Sequence, residues 1–95
     1  MHTASPYTFA FKDPDEIIKP AVDGTLAVVK ACKAHTVQRC VITSSIAACM
    51  FGYKSDDPDR PADSTFTEAH WTKVENAPHP YVKSKMLAEK AAWDF

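Results

Sequence analysis

Glycine is scarce in this chain: two residues in 95, Gly24 and Gly52. No Gly-x-Gly-x-x-Gly or Gly-x-x-Gly-x-x-Gly is present, so the loop that seats a pyrophosphate on a helix N-terminus is absent from this stretch. Cysteine is sparse as well. Cys32, Cys40 and Cys49 form no Cys-x-x-Cys pair, and an odd count without an export signal fits the reduced thiols of a cytosolic protein. The start, Met1 to Pro6, has no cationic stretch followed by an apolar one, unlike a secretory signal. No apolar run approaches the ~20 residues of a membrane span. The charges nearly cancel, 11 basic against 12 acidic, so no basic surface for nucleic acid or anionic lipid is expected. Asparagine occurs once, at Asn76 before Ala-Pro, which leaves no glycosylation acceptor. His2, His35, His70 and His79 are scattered without ligand spacing, and no metal site is expected. The cluster Asp56-Asp57-Pro58-Asp59-Arg60 lacks the Gly and terminal Glu of a calcium loop and reads as a solvated turn.

What is present suits one small domain. Apolar residues make up 45% and charged residues 24%, which excludes wholesale disorder. A chain this short buries about 60–65% of its unfolded surface, enough for one modest core. After an aromatic start (Tyr7, Phe9, Phe11), residues 13–35 read as a helix. Asp13 is the expected N-cap, Pro14 the first helical position, and Glu16 the residue that reaches back. Ile18, Val22, Leu26 and Val29 form one apolar stripe. Lys30, Lys33 and His35 load the C-terminal turn, and Pro20 is expected to kink the helix or loosen its first turn. Residues 38–45 read as a strand, with Cys40-Val41-Ile42 as its buried run. Residues 50–79 are a long polar connection, well above the usual ~4–6 residues, and such loops are usually functional or disordered. Its aromatics, Phe51, Phe66 and Trp71, read as anchors to the core. Residues 80–95 read as a second helix with Pro80 in its first turn and Trp93 and Phe95 as core contacts. A helix followed by a buried strand suggests an α/β unit with a parallel sheet.

The second helix carries the candidate chemistry. Tyr81 and Lys85 in Tyr81-Val82-Lys83-Ser84-Lys85 are four apart and share a helix face. A nearby ammonium stabilises a phenolate, which makes tyrosine a usable general acid near neutral pH. Thr43-Ser44-Ser45 ends the expected strand, at the sheet edge where open α/β folds bind ligands. Each element also has an ordinary reading: a surface Lys beside a half-buried Tyr, and serines that cap a turn. His79 reads as a solvated loop residue.

Four stretches in order resemble the extended short-chain dehydrogenase/reductases. They are His2-Thr3-Ala4-Ser5-Pro6, Ile17 to Thr25, Val41 to Ala48, and Tyr81 to Trp93. The nearest branch is the dihydroflavonol reductase, cinnamoyl-CoA reductase and 3β-hydroxysteroid dehydrogenase-like group. The resemblance implies an α/β fold, residues 1–95 being the central part of a Rossmann-type, doubly wound parallel sheet. The N-terminal βαβ units and the C-terminal substrate region are missing, and Met1 reads as an internal residue of the fourth strand. It also implies hydride transfer between NADP (NAD as the alternative) and the carbonyl or alcohol of a small aldehyde, ketone or phenylpropanoid-like substrate. Tyr81 is then the general acid, Lys85 lowers its pKa and binds the nicotinamide ribose, and Ser45 holds the substrate oxygen. Thr3, Ala4 and Ser5 lie along the cofactor, which Tyr81 contacts as well as Lys85.

Two further departures from the family pattern narrow the expectation. Ala21 stands where many relatives have Asn. Met50 stands five residues beyond Ser45, where dihydroflavonol reductases select substrate with Asn, which favours a general carbonyl reductase. A sugar-nucleotide epimerase or dehydratase shares Ser45, Tyr81 and Lys85, but Leu87-Ala88-Glu89-Lys90-Ala91-Ala92-Trp93 favours the reductase branch. The isolated chain is expected to be marginally stable and to bind dinucleotide weakly, since a small sheet leaves edges and faces uncovered. The alternative for such a short chain is a non-catalytic remnant that pairs with a larger protein. The expected location is the cytoplasm.

Overall fold

The strongest local signal, Asp13-Pro14-Asp15-Glu16, starts a helix. In the computed structural model, which describes residue 10 and residues 12–95, helix α1 spans Asp15–Ala34. Asp13 Oδ1 accepts the Asp15 N–H at 2.9 Å. Glu16 Oε2 reaches back to the Lys12 N–H at 3.2 Å, one residue earlier than a standard capping box. The helix runs unbroken through Pro20. Proline has no N–H to give the Glu16 carbonyl, but the capped first turn and the complete burial of Ile17 keep that turn attached. At the other end the Val37 N–H returns to the Cys32 carbonyl at 3.1 Å, with Thr36 in the left-handed region at φ 54°. This is the Schellman closure usually made by glycine.

Helix α2 spans Pro80–Asp94 and packs along α1 and against the short 3-10 turn Ile46–Ala48. Val82 and Met86 lie about 200° around the helix from Ser84 and Ala88, and all four are buried, so α2 is covered on two sides. On α1 the buried residues are Ile17 and Ala21. The apolar stripe Ile18, Val22, Leu26 and Val29 is only half-buried. The two sets are one residue apart, a rotation of about 100°. The most deeply buried positions of α1 therefore differ from the stripe, whose Val29 lines the cavity beside α2.

The expected strand at 38–45 has no ladder partner: no β-strand occurs among the described residues. A strand is defined by its neighbour, and no described segment lies beside this one to supply ladder hydrogen bonds. Its side chains nevertheless alternate. Cys40, Ile42 and Ser44 line a cavity with residues of both helices, while Val41 between them is 85% exposed. That period of two is strand-like without a sheet, and the expected burial of the run is corrected: Cys40 is exposed and Ile42 is 47% exposed, because no described layer covers the segment. The expectation that Trp93 and Phe95 are core contacts is also corrected. Trp93 is 77% exposed and Phe95 is exposed, because the end of α2 projects where no described layer covers it. Trp93 Nε1 donates to Glu89 at 3.3 Å, and the Lys33 ammonium lies 5.2 Å from the Phe95 ring centre.

The long connection is ordered by its two ends. Thr72 N–H donates to the Ala48 carbonyl at 2.8 Å and Lys73 N–H to the Phe51 carbonyl at 3.0 Å. Asn76 Nδ2 donates to the Gly52 carbonyl at 3.1 Å, and a second 3-10 turn, Val74–Asn76, leads towards α2. Between these ends Tyr53, Phe66 and His70 stack at centroid distances of 5.2 and 5.4 Å, and the Tyr53 hydroxyl donates to the Trp71 carbonyl at 2.7 Å. Burial pushes the Tyr53 phenol up. Lys73 bridges Asp57 at 2.6 Å and Asp59 at 3.2 Å. Its ammonium holds the Asp57 carboxyl below the usual range and is itself raised by Asp57. The acidic cluster is thus a clamp on the loop as well as a turn.

Gly52 sits at the closest approach, with φ +82°, and a Cβ there would lie 2.3 Å from the Lys73 carbonyl oxygen. Both the conformation and the backbone contact exclude a larger residue. Gly52→Ala is expected to destabilise the chain by about 1–3 kcal/mol. Urea unfolding checks this, and an unchanged midpoint would show that the loop accommodates the side chain.

Candidate active site

Three residues were expected to act together, and they sit on two elements. Tyr81 and Lys85 are on α2, whose first turn is set by Pro80 and by His79. The His79 Nδ1 accepts the Tyr81 N–H at 3.0 Å. The Tyr81 carbonyl accepts the Ser84 hydroxyl at 2.7 Å, and Ser84 is fully buried. Side chains on either side of Tyr81 therefore hold its backbone at both its N–H and its C=O.

Ser45 closes the 38–45 segment in extended conformation and caps the turn Ile46–Ala48, its Oγ accepting the Ala47 N–H at 3.1 Å. Capping uses an oxygen lone pair. The hydroxyl proton remains available to donate to a ligand. The capping and catalytic readings of this serine are therefore compatible.

The contact that joins the two elements is made by lysine. Lys85 Nζ donates to the Thr43 carbonyl at 3.3 Å, two residues before Ser45. An ammonium has three donors, so this one contact leaves Lys85 able to bind hydroxyls as well. One turn further along α2 the Glu89 carboxylate accepts from the Ser44 hydroxyl. Helix α2 is thus laced to the Thr43–Ser45 segment by Lys85 and Glu89, with Tyr81 one turn N-terminal to Lys85 on the same face. The other expected cofactor contacts, Thr3, Ala4 and Ser5, lie outside the described residues, as do the aromatics Tyr7, Phe9 and Phe11 and the histidine His2.

A cavity of about 330 Å³ opens beside this lacing, lined by Val29, Cys40, Ile42, Ser44, Glu89, Ala92 and Trp93. Ser45, Tyr81 and Lys85 are not among its walls. It lies on the Cys40-Ile42-Ser44 side of the segment, as the space between that segment and the two helices. Burial raises the Cys49 thiol, with the Glu89 charge adding to it. Burial likewise raises Cys32, helped by a hydrogen bond with Cys40. Neither is an activated thiolate. Among the described residues no group of His, Cys, Asp and Glu could hold a metal ion, and no helix is long and apolar enough to cross a membrane.

The expectation of a solvated loop residue at His79 is corrected: it is half-buried and caps α2. The available signal was its position immediately before a proline that opens a helix, which is the N-cap position. Histidine is not among the residues that usually mark that position. Thr72, which ties the loop to the Ser45 turn, carried no local signal at all.

Comparison with known proteins gives a consistent set. The model of the 3-beta hydroxysteroid dehydrogenase/isomerase family matches residues 1–94. A cinnamoyl-CoA reductase of Medicago truncatula is 47% identical over 98 residues, covering 100% of this chain and 29% of that protein. An anthocyanidin reductase of Vitis vinifera, (2S)-flavan-3-ol-forming, is 43% identical over 103 residues, with 100% and 29% covered. Among solved structures, the yeast methylglyoxal/isovaleraldehyde reductase Gre2 complexed with NADPH superposes with a TM-score of 0.76 at 36% identity. That match covers 99% of this chain and 29% of Gre2. The chain thus spans about 29% of the length of these relatives.

Proposed function

The chain belongs to the 3-beta hydroxysteroid dehydrogenase/isomerase family, within the extended short-chain dehydrogenase/reductases, and on that premise we propose that it is the central part of an NADPH-dependent carbonyl reductase. Its substrate is a small aldehyde or ketone, including phenylpropanoid-like ones, and its compartment is the cytoplasm. The 38–45 segment then becomes a strand of a Rossmann-type parallel sheet, with neighbouring strands on its backbone edges supplied by the rest of the enzyme and a further layer over the exposed Val41 face. The observation that carries this reading is the Lys85–Thr43 contact at 3.3 Å, which sets the Tyr81–Lys85 face of α2 beside the turn capped by Ser45.

Bound NADPH supplies a hydride to the carbonyl carbon. The chain's own groups act on the carbonyl oxygen and on the cofactor's ribose. Ser45 donates its hydroxyl proton in a hydrogen bond to the substrate oxygen and fixes its position. Tyr81 gives its phenolic proton to that oxygen as the negative charge develops, leaving an alcohol and a phenolate. Lys85 offsets the phenolate charge electrostatically. Its remaining N–H donors fit the ribose hydroxyls of the nicotinamide half. The pyrophosphate end requires residues beyond those present here, since the chain has no glycine-rich loop.

The relatives are reductases, which favours reduction over sugar-nucleotide chemistry. The test is NADPH oxidation by the whole protein carrying this segment, with a panel of aromatic and aliphatic aldehydes and a sugar nucleotide. Turnover with an aldehyde and none with the sugar nucleotide supports the reading, and the reverse overturns it. A second reading, a non-catalytic remnant that pairs with a larger protein, draws on the uncovered Val41. It predicts that the 95-residue chain co-purifies with a longer reductase and turns over nothing alone.

A further inference from the structure

Tyr81 occupies the weakest stretch of its helix. With His79 as N-cap, Pro80 is the first helical residue and Tyr81 the second, so the Tyr81 N–H has no carbonyl one turn earlier to bond. Proline contributes no N–H. The first intrahelical bond is Lys83 N–H to the His79 carbonyl, and at 3.3 Å it is long. First turns fray unless a side chain satisfies their orphan donors. A proton donor that must stay aligned with a carbonyl oxygen is sensitive to that fraying, since a misplacement of about 1 Å costs roughly 100-fold in rate.

We propose that His79 is a positioning residue for Tyr81: its imidazole Nδ1, by accepting the Tyr81 N–H, locks the first turn of α2 and so fixes the origin of the phenol. This rests on the reading of Tyr81 as proton donor and deepens it. Acceptance by Nδ1 places the ring proton on Nε2. The imidazole is therefore the neutral Nε2–H tautomer, with Nδ1 committed to the helix and not to the substrate. Ser84 completes the hold from the other side through the Tyr81 carbonyl. His79 supplies the half that no residue within the helix can supply. Its extended backbone, φ −152° and ψ 144°, is the conformation that turns an N-cap side chain over the following amides.

The experiment uses the whole reductase carrying this segment, with histidine and tyrosine labelled with nitrogen-15. A scalar coupling between the Tyr81 amide nitrogen and His79 Nδ1, with the Nε2–H tautomer, is expected. Its absence, or a proton on Nδ1, overturns the proposal. His79→Ala is expected to lower kcat about three- to thirtyfold, the effect of a lost N-cap, with KM for substrate within about twofold. His79→Ser differs from alanine by one oxygen that can cap but cannot reach far. It is expected to restore kcat to within about threefold of the parent. An unaffected His79→Ala enzyme, or a serine variant as slow as the alanine one, overturns the proposal. Thermal melting of both variants separates loss of turnover from loss of fold, and an alanine variant that melts below the assay temperature leaves the serine comparison and the coupling to decide. Tyr81→Phe, prepared with histidine and phenylalanine labelled instead, keeps the amide, so its coupling is expected to persist while turnover falls. If turnover instead survives, the proton-donor reading fails and the positioning role falls with it. If turnover falls but no coupling exists, only the positioning role is overturned.

Discussion

Tyr81→Phe, in the whole enzyme, is expected to lower kcat for carbonyl reduction by about 10²–10⁴-fold, the usual contribution of a positioned general acid. The substitution removes one oxygen and leaves the ring, so packing changes little. The backbone bonds to His79 and Ser84 are unaffected, because they involve the Tyr81 amide and carbonyl. Binding of NADPH is expected to remain within about threefold, since the phenol acts on the developing charge and not on the ground state. Lys85→Met is expected to behave differently. It removes the contact to the Thr43 carbonyl together with the proposed ribose donors, so both kcat and the affinity for NADPH fall. Steady-state kinetics and fluorescence titration with NADPH distinguish the two. A Tyr81→Phe enzyme with parental kcat would assign the proton to another donor, and a Lys85→Met enzyme with parental affinity would remove lysine from the cofactor site.

The parts of this fold that were legible in the sequence are those fixed by short-range chemistry. Both helix starts were readable from Asp13-Pro14-Asp15-Glu16 and from Pro80, because capping bonds and the missing proline N–H act within four residues. The side-chain alternation of Cys40, Val41, Ile42 and Ser44 was not readable: three consecutive apolar residues suggest burial on both faces, yet Val41 is 85% exposed. Nor was the absence of a ladder, since pairing depends on a partner segment that no described residue supplies. The buried face of α1 was missed by one residue. The stripe of Ile18, Val22, Leu26 and Val29 is the more apolar of two faces, whereas full burial falls on Ile17 and Ala21. Trp93 was misjudged on the same ground. In the candidate site, the spacing of Tyr81 and Lys85 and the double reading of Ser45 were legible. The Lys85–Thr43 contact spans 42 residues and the Ser44–Glu89 contact 45, so no local pattern could announce either of them.

The long-range bond with the most leverage is made by Thr72, because it ties the loop back to the turn that Ser45 caps. Its hydroxyl donates to the Ala47 carbonyl at 2.7 Å and accepts the Phe51 N–H at 3.1 Å, and the residue is 1% exposed. Thr72→Val keeps the shape and removes both bonds, leaving a buried carbonyl and a half-buried N–H without that partner. Each such loss costs about 1–3 kcal/mol, so the expected destabilisation is about 2–5 kcal/mol. That is a large share of the roughly 5–14 kcal/mol available to a chain of this size. Thr72→Ser keeps the hydroxyl and loses one methyl, and is expected to cost only about 1 kcal/mol. The comparison isolates hydrogen bonding from packing. Urea unfolding gives the two energies, and amide hydrogen exchange locates them: protection at Phe51 is expected to vanish in the valine variant and persist in the serine one. Equal losses in both variants would place the energy in the methyl group and leave the polar tie without weight. Unequal losses would mean that the Thr72 hydroxyl, through its bonds to Ala47 and Phe51, is a principal tie between the loop and the turn that Ser45 caps.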